Sequence, residues 1–437
     1  MKFILEKIKS YNSTAIIQNF EEISYNTIYQ EYLIKKNLLL DSSINSSSII
    51  CVKGETNLDT ITLMLAIIDI GAIYVPVSSS CENFDKYIEI SECTHFILSP
   101  YNNVIKTNHL IKHIELKKLC AIKDPGLIFF SSGTTGEPKA SLHNLTPMLK
   151  KDNSSGKKII SISFLLYDHI GGFNTLLYNL SNAGTLILPS DRSVDTVCNL
   201  IQKYKVDVLP TTPSFLNMLL ISKTYNLYDL TSLKIITYGT EPMPESTLKA
   251  INKALPNIKL KQTYGLSELG ILRTKSENNI SLFMKLGDDT HQIKIINDIL
   301  YIKSEMAMIC YLNAPSPFDK DGYFNTQDKV EIKEGNIKIL GRESDIINVA
   351  GEKVYPSEIE NVIIAVEGVV DVLVKGETNP ILGNIVIALI NTQNKNTDKL
   401  IERIKNTCKE NLEKYKRPFR IIITKNNLLN KRLKKQR

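Results

Sequence analysis

Helical stretches alternate with short apolar runs through the first half of the chain. A helix-like run over residues 59–70 is ended by Gly71, and the buried-strand pattern of residues 72–77 follows it. The same alternation returns at residues 158–165, 173–180, 185–188, 194–203, 206–209 and 233–237. This order predicts a mainly parallel sheet covered by helices, with ligands held at the carboxyl ends of its strands.

The pattern changes from about residue 292 onward. Apolar runs flank Asn297-Asp298 and then Glu334-Gly335-Asn336, as the strands of antiparallel hairpins do. After Arg342, a capping box of Ser357 and Glu360 is expected to open a helix. Strands at 369–374, 384–390 and 419–424 and a helix at 397–412 complete an α+β unit. The predicted fold class is therefore α/β, with a large N-terminal domain that includes a small antiparallel β module and a small C-terminal α+β domain.

The chain of 437 residues exceeds what one core usually organises, so two domains are expected. We place them at residues 1–342 and 346–437, joined by a hinge at 343–345. Seven cysteines are scattered without a C-x-x-C pair, a pattern that favours reduced thiols and a cytoplasmic location. The longest apolar stretch, residues 61–77, is interrupted by Asp69 and Gly71, and no membrane span is predicted. The first residues contain too short an apolar run for a secretory signal.

Positive charge is concentrated at the end of the chain, where residues 431–437 carry five of the basic side chains. Such a run is most often a solvated tail, and contact with nucleic acid or a membrane is the alternative. No aromatic residue is interleaved with these charges, and binding to nucleic acid is therefore not expected. A third interpretation, that one of these lysines takes part in catalysis, is considered below.

The apolar run 127–130 leads into a loop rich in serine, threonine and glycine. Its phosphate donors would be Ser131, Ser132, Gly133, Thr134, Thr135, Gly136 and Lys139. Backbone N–H groups and hydroxyls in such a loop can cradle phosphate oxygens. The Walker spacing does not fit, because two residues separate the glycines and Ala140 follows the lysine. A surface turn of small residues is the alternative explanation for the loop alone.

The full string 131–139, Ser-Ser-Gly-Thr-Thr-Gly-x-Pro-Lys, resembles the signature of the adenylate-forming superfamily. That superfamily includes acyl-CoA synthetases, adenylation domains of nonribosomal peptide synthetases and luciferases. Four further segments resemble its motifs in family order: 238–242, 262–268, 322–328 and 341–351. Each could be a turn, a cap or a surface ion pair, but five matches in order make coincidence a poor account.

The resemblance implies a nucleotide site. Its adenine loop would contain Gly239, Thr240 and Glu241, and its next motif Tyr264, Gly265, Ser267 and Glu268. Tyr264 would stack on adenine, while Glu268 and Thr135 would help to hold Mg²⁺. Asp328 would accept hydrogen bonds from the ribose hydroxyls, and Arg342 would reach ribose or phosphate. Two positions depart from the family: Ser267 replaces threonine, and Gln327 stands where glycine is usual.

The resemblance also implies a moving C-terminal domain. Ser344 would mark the hinge, although the family usually has Asp or Lys there. Lys431 would contact the α-phosphate and the attacking carboxylate, with Lys434 and Lys435 as nearby alternatives. After a rotation, the segment near Gly351 would meet a pantetheine arm.

The acid pocket is implied less clearly. An ungapped alignment back from Asn174 gives His169 the place of a histidine or aromatic residue in many acyl-CoA synthetases. A shift of one gives Asp168 the place of the aspartate that binds an amino acid's ammonium group. Gly265 would complete the pocket. The ungapped alignment favours a simple acyl or aryl acid.

These expectations describe ATP-dependent activation of a small carboxylic acid to an acyl-adenylate, with release of pyrophosphate. Transfer to the pantetheine thiol of CoA or an acyl carrier protein would follow. ATP and Mg²⁺ are the expected cofactors, with CoA or phosphopantetheine as acceptor. The alternatives are an amino-acid-activating enzyme that loads a carrier protein and a catalytically inactive nucleotide sensor. Because Lys431, Glu268 and Asp328 are all present, an enzyme is favoured over a sensor.

Overall fold

The computed structural model of the protein describes residues 1–101, 103–132, 137–151, 156–379, 383–424 and 428, apart from the side chains of Ser132 and Lys151. Within it the chain forms two compact units. Unit 1 comprises Met1–Pro210, Gly265–Ile271 and Lys303–Phe318, and unit 2 comprises Thr211–Tyr264, Leu272–Ile302 and Asp319–Arg437.

Twelve α-helices lie in the described ranges, and side-chain caps open several of them. They are α1 (Lys2–Ser10), α2 (Tyr25–Asp41), α3 (Leu58–Ile70), α4 (Phe84–Ile90), α5 (Ile114–Ile122), α6 (Thr146–Lys151), α7 (Ile170–Ser181), α8 (Val194–Tyr204), α9 (Pro213–Ser222), α10 (Glu245–Ala254), α11 (Pro356–Ile364) and α12 (Thr397–Asn411). Helix α3 starts at a capping box between Asn57 and Thr60 and ends at Gly71, whose φ is 84°. Short 3₁₀ turns lie at Thr224–Asn226, Glu343–Asp345 and Lys414–Lys416.

The strands of the first two hundred residues are β1 (Thr14–Gln18), β2 (Glu21–Ser24), β3 (Ile49–Gly54), β4 (Ile73–Ser78), β5 (His95–Leu98), β6 (Val104–Lys106), β7 (Gly126–Ser132), β8 (Pro138–Asn144), β9 (Ile160–Ile162) and β10 (Thr185–Leu188). Those that follow are β11 (Val208–Thr211), β12 (Ile235–Tyr238), β13 (Lys259–Gln262), β14 (Tyr264–Leu266), β15 (Gly270–Leu272), β16 (Thr274–Ser276), β17 (Met284–Leu286), β18 (His291–Ile296), β19 (Ile299–Ser304), β20 (Cys310–Tyr311), β21 (Phe324–Lys333), β22 (Asn336–Arg342), β23 (Ile347–Val349), β24 (Glu352–Val354), β25 (Asp371–Asn379), β26 (Gly383–Asn391) and β27 (Arg420–Thr424).

Unit 1 contains a mixed sheet with strand order β20-β8-β7-β4-β3-β5-β6. Its centre is parallel, because β4 pairs in parallel with both β3 and β7, and β3 with β5. Antiparallel strands close both edges, β6 on β5 and β8 followed by β20 on β7. Helix α3 is buried over nearly its whole length in the core under this sheet. A second sheet of unit 1 pairs β1, β10 and β9 in parallel.

Unit 2 contains the predicted antiparallel module, a sheet with strand order β16-β17-β22-β21-β19-β18. The turn between β18 and β19 has positive φ at Asn297 and Asp298, and that between β21 and β22 has it at Glu334 and Gly335. Two-residue turns of this kind match the twist of hairpin strands, so both hairpin predictions are confirmed.

The C-terminal part of unit 2 has its own core, formed by α11, α12 and a sheet in which β25 and β23 flank β26 in antiparallel pairing and β27 joins β26 in parallel. The predicted capping box is wrong. Pro356 takes the first helical position of α11, which places Ser357 inside the helix. Ser357 instead donates to the Leu340 carbonyl at 2.5 Å, and Glu360 accepts from the Val374 N–H at 2.9 Å.

The α/β fold class, with a large N-terminal and a small C-terminal domain, is confirmed. Residues on both sides of the predicted hinge belong to unit 2, and the boundaries at 342 and 346 stay a prediction. Across the described ranges, no helix has both the length and the apolar character that crossing a membrane requires.

Candidate functional site

The strand pair β7–β8 carries the two ends of the predicted phosphate loop. In its register Ser131 lies opposite Lys139, and Ser132 opposite Pro138. The turning residues Gly133, Thr134, Thr135 and Gly136 lie outside the described residues, as does the side chain of Ser132. The antiparallel pairing therefore brings Ser131 and Lys139, which lie at the two ends of the loop, next to each other. Phosphate binding by the loop stays a prediction.

Lys139 belongs to a cluster of three side chains within unit 1, which we call the Tyr311 cluster: Lys139, Glu268 and Tyr311. The Lys139 ammonium lies 5.5 Å from the centroid of the Tyr311 ring. The Tyr311 hydroxyl donates to Glu268 Oε1 at 2.7 Å. Sequence reasoning missed Tyr311, although it brings two of the predicted site residues, Lys139 and Glu268, together.

Glu268 is held by its backbone as well. Its carbonyl accepts from the Met308 N–H at 2.7 Å. Gly265 begins this segment, and a Cβ there would lie 2.7 Å from the Gly270 carbonyl oxygen and 3.0 Å from the Cα of Ile271. Glycine is therefore required at position 265 by backbone packing, whether or not it also faces an acid.

The described residues of unit 1 fit a magnesium ion that takes most of its ligands from the substrate phosphates and water and few from the protein. Among the described residues, no three His, Cys, Asp or Glu side chains lie close enough to hold a metal ion by themselves. Mg²⁺ usually binds through one or two carboxylates together with phosphate oxygens and water. The half-buried Glu268 carboxylate can supply the protein's share, and Thr135, the second predicted ligand, lies outside the described residues.

His143 lies on β8, close to the Tyr311 cluster along the strand. It is fully buried, with the Phe129 ring at 6.2 Å in an edge-on arrangement. Burial lowers the pKa of His143 to about 4, and the backbone of Ser267 and Met306 offsets part of that effect. Its imidazole is therefore neutral near pH 7. Sequence reasoning did not single this residue out.

Unit 2 contains a second polar cluster, the Asp328 cluster: Tyr264, Asp328 and Arg342. Asp328 lies opposite Arg342 in the β21–β22 register, with Arg342 Nε 3.5 Å from Asp328 Oδ1. The Tyr264 hydroxyl donates to Asp328 Oδ2 at 2.5 Å. Burial, followed by the charge of Asp328, raises the pKa of Tyr264. The cluster joins three predicted nucleotide residues, and stacking of the buried Tyr264 ring on adenine stays a prediction.

The unusual Gln327 has a left-handed backbone, with φ of 59°. Glycine adopts that conformation without penalty, which is the physical reason for a glycine preference at such a position. Here the Gln327 N–H donates to Asn325 Oδ1 at 2.9 Å, and the Asp328 N–H to Thr326 Oγ1 at 3.0 Å. These short-range hydrogen bonds support the turn that presents Asp328.

The predicted adenine loop follows β12. A Cβ on Gly239 would lie 2.8 Å from the Thr263 carbonyl oxygen, so this position too requires glycine. Thr240 has a positive φ of 72°. Glu241 Oε1 accepts from the Ser214 N–H at 2.8 Å, at the N-terminus of α9, where a carboxylate is favoured by the helix dipole. Contact of these three residues with adenine stays a prediction.

Asp168 and His169 precede α7 in unit 1. Asp168 is buried, and His169 Nε2 lies 3.9 Å from Asp168 Oδ1. Burial lowers the pKa of the nearby Arg192, and the charges of Glu55 and Asp168 partly offset the effect. Arg192 is a cation that sequence reasoning missed, and no motif surrounds it. The pocket roles of His169 and Asp168 stay predictions.

A cavity of about 10 Å³ lies against α7 within unit 1. It is lined by Met148, Ile170, Phe173, Asn174, Leu177, Gly270, Ile271 and Met306. The lining is apolar except for Asn174, and the volume matches about one water molecule. The two methionines are its most adaptable walls, because their unbranched side chains have several rotatable bonds.

The predicted hinge and thiol-facing positions both lie in unit 2. Ser344 is exposed in the 3₁₀ turn, and its hydroxyl lies 3.3 Å from Asp345 Oδ1. Ala350 and Gly351 form the two-residue turn between β23 and β24, with φ of 50° and 90°. The turn alone accounts for the glycine. The predicted catalytic Lys431 lies outside the described residues.

The fold of this chain matches that of known proteins. Over 99% of this chain and 94% of the other, the fold matches the crystal structure of the anthranilate CoA ligase AuaEII in complex with anthranoyl-AMP, with a TM-score of 0.82. Sequence identity in that match is 19%, so the likeness shows the fold.

Residues 8–288 match the family described as AMP-binding enzyme, and residues 358–435 match the AMP-binding enzyme C-terminal domain. The chain belongs to the AMP-binding enzyme family. It is 28% identical over 356 residues, 72% of its length, to acyl-CoA synthetase 7 of Caenorhabditis elegans. It is 29% identical over 329 residues, 69% of its length, to the long-chain-fatty-acid–CoA ligase FadD13 of Mycobacterium tuberculosis. The chain covers 64% of each relative's own length.

Proposed function

We propose that this protein joins a carboxylic acid to AMP at the expense of ATP and then transfers the acyl group to a thiol. The observation that carries this proposal is the Tyr311 cluster. It sets a carboxylate and an ammonium group beside the strands that flank the phosphate loop. A carboxylate that can hold Mg²⁺ and a cation that can bind phosphate are the groups that an ATP-consuming reaction needs.

In the first half-reaction, an oxygen of the acid attacks the α-phosphorus of ATP. The bond from that phosphorus to the bridging oxygen breaks, and pyrophosphate leaves with the electron pair. Lys139 would bind the departing phosphates together with Ser131, and Glu268 would orient Mg²⁺. The metal ion neutralises phosphate charge when it is bound.

The Asp328 cluster would bind the nucleoside. A carboxylate can accept about four hydrogen bonds, and ribose offers two vicinal hydroxyl donors. Arg342 stands opposite Asp328 in the register, where its guanidinium can reach ribose or phosphate oxygens.

In the second half-reaction, a thiol attacks the acyl carbon, AMP leaves, and the thiol proton passes to solvent or base. We propose CoA as the acceptor, because the two relatives are a CoA synthetase and a CoA ligase by name. The thiol of a carrier protein belongs to the same pantetheine group, and the assay below therefore tests it as the alternative acceptor. The exposed turn at Gly351 would meet the pantetheine after rotation about Ser344.

Leu428 supports a role for the end of the chain. This residue is buried and lines a cavity of about 210 Å³ together with Glu241, Pro242 and Pro244 of the predicted adenine loop. Lys431 follows three residues later in the sequence and is proposed to stabilise negative charge on the α-phosphate.

The acid is proposed to be a neutral acyl or aryl acid. The cavity beside α7 is lined mainly by apolar side chains. Asp168 shares its surroundings with the charge of Arg192, which reduces its attraction for a substrate ammonium. The geometry therefore favours a simple acid over an amino acid.

The test is ATP–pyrophosphate exchange with a panel of fatty, aryl and amino acids, followed by thioester formation with CoA or with holo carrier protein. We expect exchange with at least one neutral acid and thioester with CoA. If ATP binds but no acid supports exchange, the protein is a nucleotide sensor. If only holo carrier protein accepts the acyl group, the CoA assignment is wrong.

Lys431→Ala should slow adenylation by about 100- to 1000-fold, because one preorganised charge contributes about 3–4 kcal/mol in a dry site. Thioester formation from a supplied acyl-adenylate should be spared. Lys434→Ala and Lys435→Ala are the matched variants. Unchanged adenylation in Lys431→Ala together with a loss in either neighbour would move the catalytic role to that neighbour.

A further inference from the structure

Tyr311 lies where three separate segments of unit 1 meet. Strand β20, which carries it, pairs with β8, so that Tyr311 stands opposite Ser141. Its side chain is buried to all but 9% and extends to Glu268 on the segment Gly265–Ile271. A single side chain therefore contacts residues that are far apart in the sequence.

The hydroxyl of Tyr311 sets the orientation of the Glu268 carboxylate. The O–H···O distance of 2.7 Å is that of a well-formed hydrogen bond to a charged acceptor. Such a bond limits rotation of the carboxylate about its last torsion, which is otherwise broad. A carboxylate that binds a metal ion gains affinity when its orientation is set in advance.

The ring of Tyr311 acts on a different group. The Lys139 ammonium lies 5.5 Å from the ring centroid, within the range of a cation–π contact. The hydroxyl and the ring thus act on opposite charges, a carboxylate and an ammonium. Phenylalanine would keep the second contact and lose the first.

The backbone around Tyr311 is fastened to the strand that carries Lys139. The Asn313 side-chain amide donates to the Pro138 carbonyl at 2.8 Å, and its oxygen accepts from the Ala140 N–H at 3.0 Å. These two bonds span Lys139 on both sides. The distance between the tyrosine and the lysine is therefore set by backbone as well as by side chains.

We propose that Tyr311 is a positioning residue that holds Glu268 and Lys139 in one arrangement, so that the magnesium and phosphate contacts form together. The proposal rests on the proposed function, in which these two residues bind Mg²⁺ and ATP. Asn313 is part of the same device, because it fastens the Tyr311 segment to β8. No role in bond making or breaking is assigned to Tyr311.

The first test measures ATP binding by calorimetry on the full chain, with and without Mg²⁺. In Tyr311→Phe, the gain in affinity that Mg²⁺ gives should fall about 10- to 100-fold, as expected for loss of a hydrogen bond that orients a metal-binding carboxylate. Affinity without Mg²⁺ should stay within about twofold, since the ring contact remains. In Tyr311→Leu both affinities should fall.

The matched control is Tyr178→Phe, which removes a tyrosine hydroxyl bonded to the Lys157 backbone elsewhere in unit 1. It should leave both ATP affinities unchanged. A Tyr311→Phe protein with the wild-type magnesium gain would overturn the positioning role. Equal losses with and without Mg²⁺ would do the same, because they would indicate general damage.

A second test does not need ATP. A double-mutant cycle of Tyr311→Phe and Glu268→Ala, read by urea unfolding, should show a coupling of about threefold or more in the unfolding equilibrium constant. Independent effects of the two changes would overturn the proposal. If the cycle shows this coupling but the wild-type protein binds no ATP with or without Mg²⁺, the proposed function fails while the contact between the two residues stands.

Discussion

The Tyr311 cluster and the Asp328 cluster are both built from a tyrosine, a carboxylate and a cation, yet they are assembled differently. In the Asp328 cluster, the cation and the carboxylate face each other across one hairpin, and Tyr264 donates to the carboxylate. In the Tyr311 cluster, the three residues come from three segments, and the tyrosine stands between the charges. One cluster follows from a strand register, and the other from tertiary packing.

Burial differs as well. Asp328 is 6% exposed, whereas Glu268 and Lys139 are only half-buried. Removing a buried carboxylate leaves its buried partners unpaired and is costly to stability, whereas the partners of a half-buried carboxylate can be solvated by water. The comparison therefore predicts that the Asp328 cluster matters more for stability and that the Tyr311 cluster matters more for metal-dependent binding.

The largest expected effect comes from truncating each carboxylate. Asp328→Ala should lower the free energy of unfolding by about 3 kcal/mol, because it leaves the buried Tyr264 hydroxyl without its acceptor. Glu268→Ala should cost about 1 kcal/mol. Urea unfolding followed by circular dichroism measures both, with the exposed Asp289→Ala as control. An equal or larger loss in Glu268→Ala would contradict the comparison.

A smaller effect is expected from pH. The folded-state pKa of His143, about 4, lies below its ordinary value of 6.5, so the unfolded chain binds the proton more tightly. Stability should therefore fall as the pH drops below about 6.5, by about 2 kcal/mol between pH 7 and pH 5. His143→Gln should remove most of this slope in unfolding experiments. A slope that persists in the variant would assign the effect to other groups.

The smallest effect concerns the turn before Asp328. Gln327→Gly relieves a left-handed conformation that costs an ordinary residue about 1–2 kcal/mol, but glycine loses more backbone entropy on folding. A net gain in stability of up to about 1 kcal/mol is expected. Thermal unfolding of the variant measures it, and Gln327→Ala serves as the control with no gain. A loss of stability in Gln327→Gly would show that the glutamine side chain contributes to the turn.

Within the Asp328 cluster, the pairing of Asp328 with Arg342 has local determinants, whereas Tyr264 joins it from 64 residues away. The two-residue turn at Glu334-Gly335 aligns the hairpin as far as Val330 and Ile339, and a bulge beyond that pair then places Asp328 opposite Arg342. Strand β7 was likewise predictable from its apolar run ahead of the glycines. The start of α11 was predicted wrongly because the sequence offers two possible first residues. Proline at position 356 begins the helix, and the capping box of Ser357 therefore does not form.

The Tyr311 cluster could not be predicted, because its contacts join distant segments. Tyr311 and Glu268 are 43 residues apart, and nothing in the two-residue strand β20 indicates that it pairs with β8. Arg192 was missed for a similar reason. Arg192 interacts with Asp168 through charge within unit 1, and no sequence motif around either residue predicts that interaction.

The small cavity beside α7 has a consequence for how an acid could enter. A volume of about 10 Å³ is too small for an acyl chain, so an acid proposed to bind here would require movement of adaptable lining side chains such as Met148 and Met306. Affinity for the acid would then equal the intrinsic affinity reduced by the fraction of molecules that are already open. Discrimination among acids would depend on how well each repays that rearrangement, and a rigid ring and a flexible chain of equal volume would be treated differently.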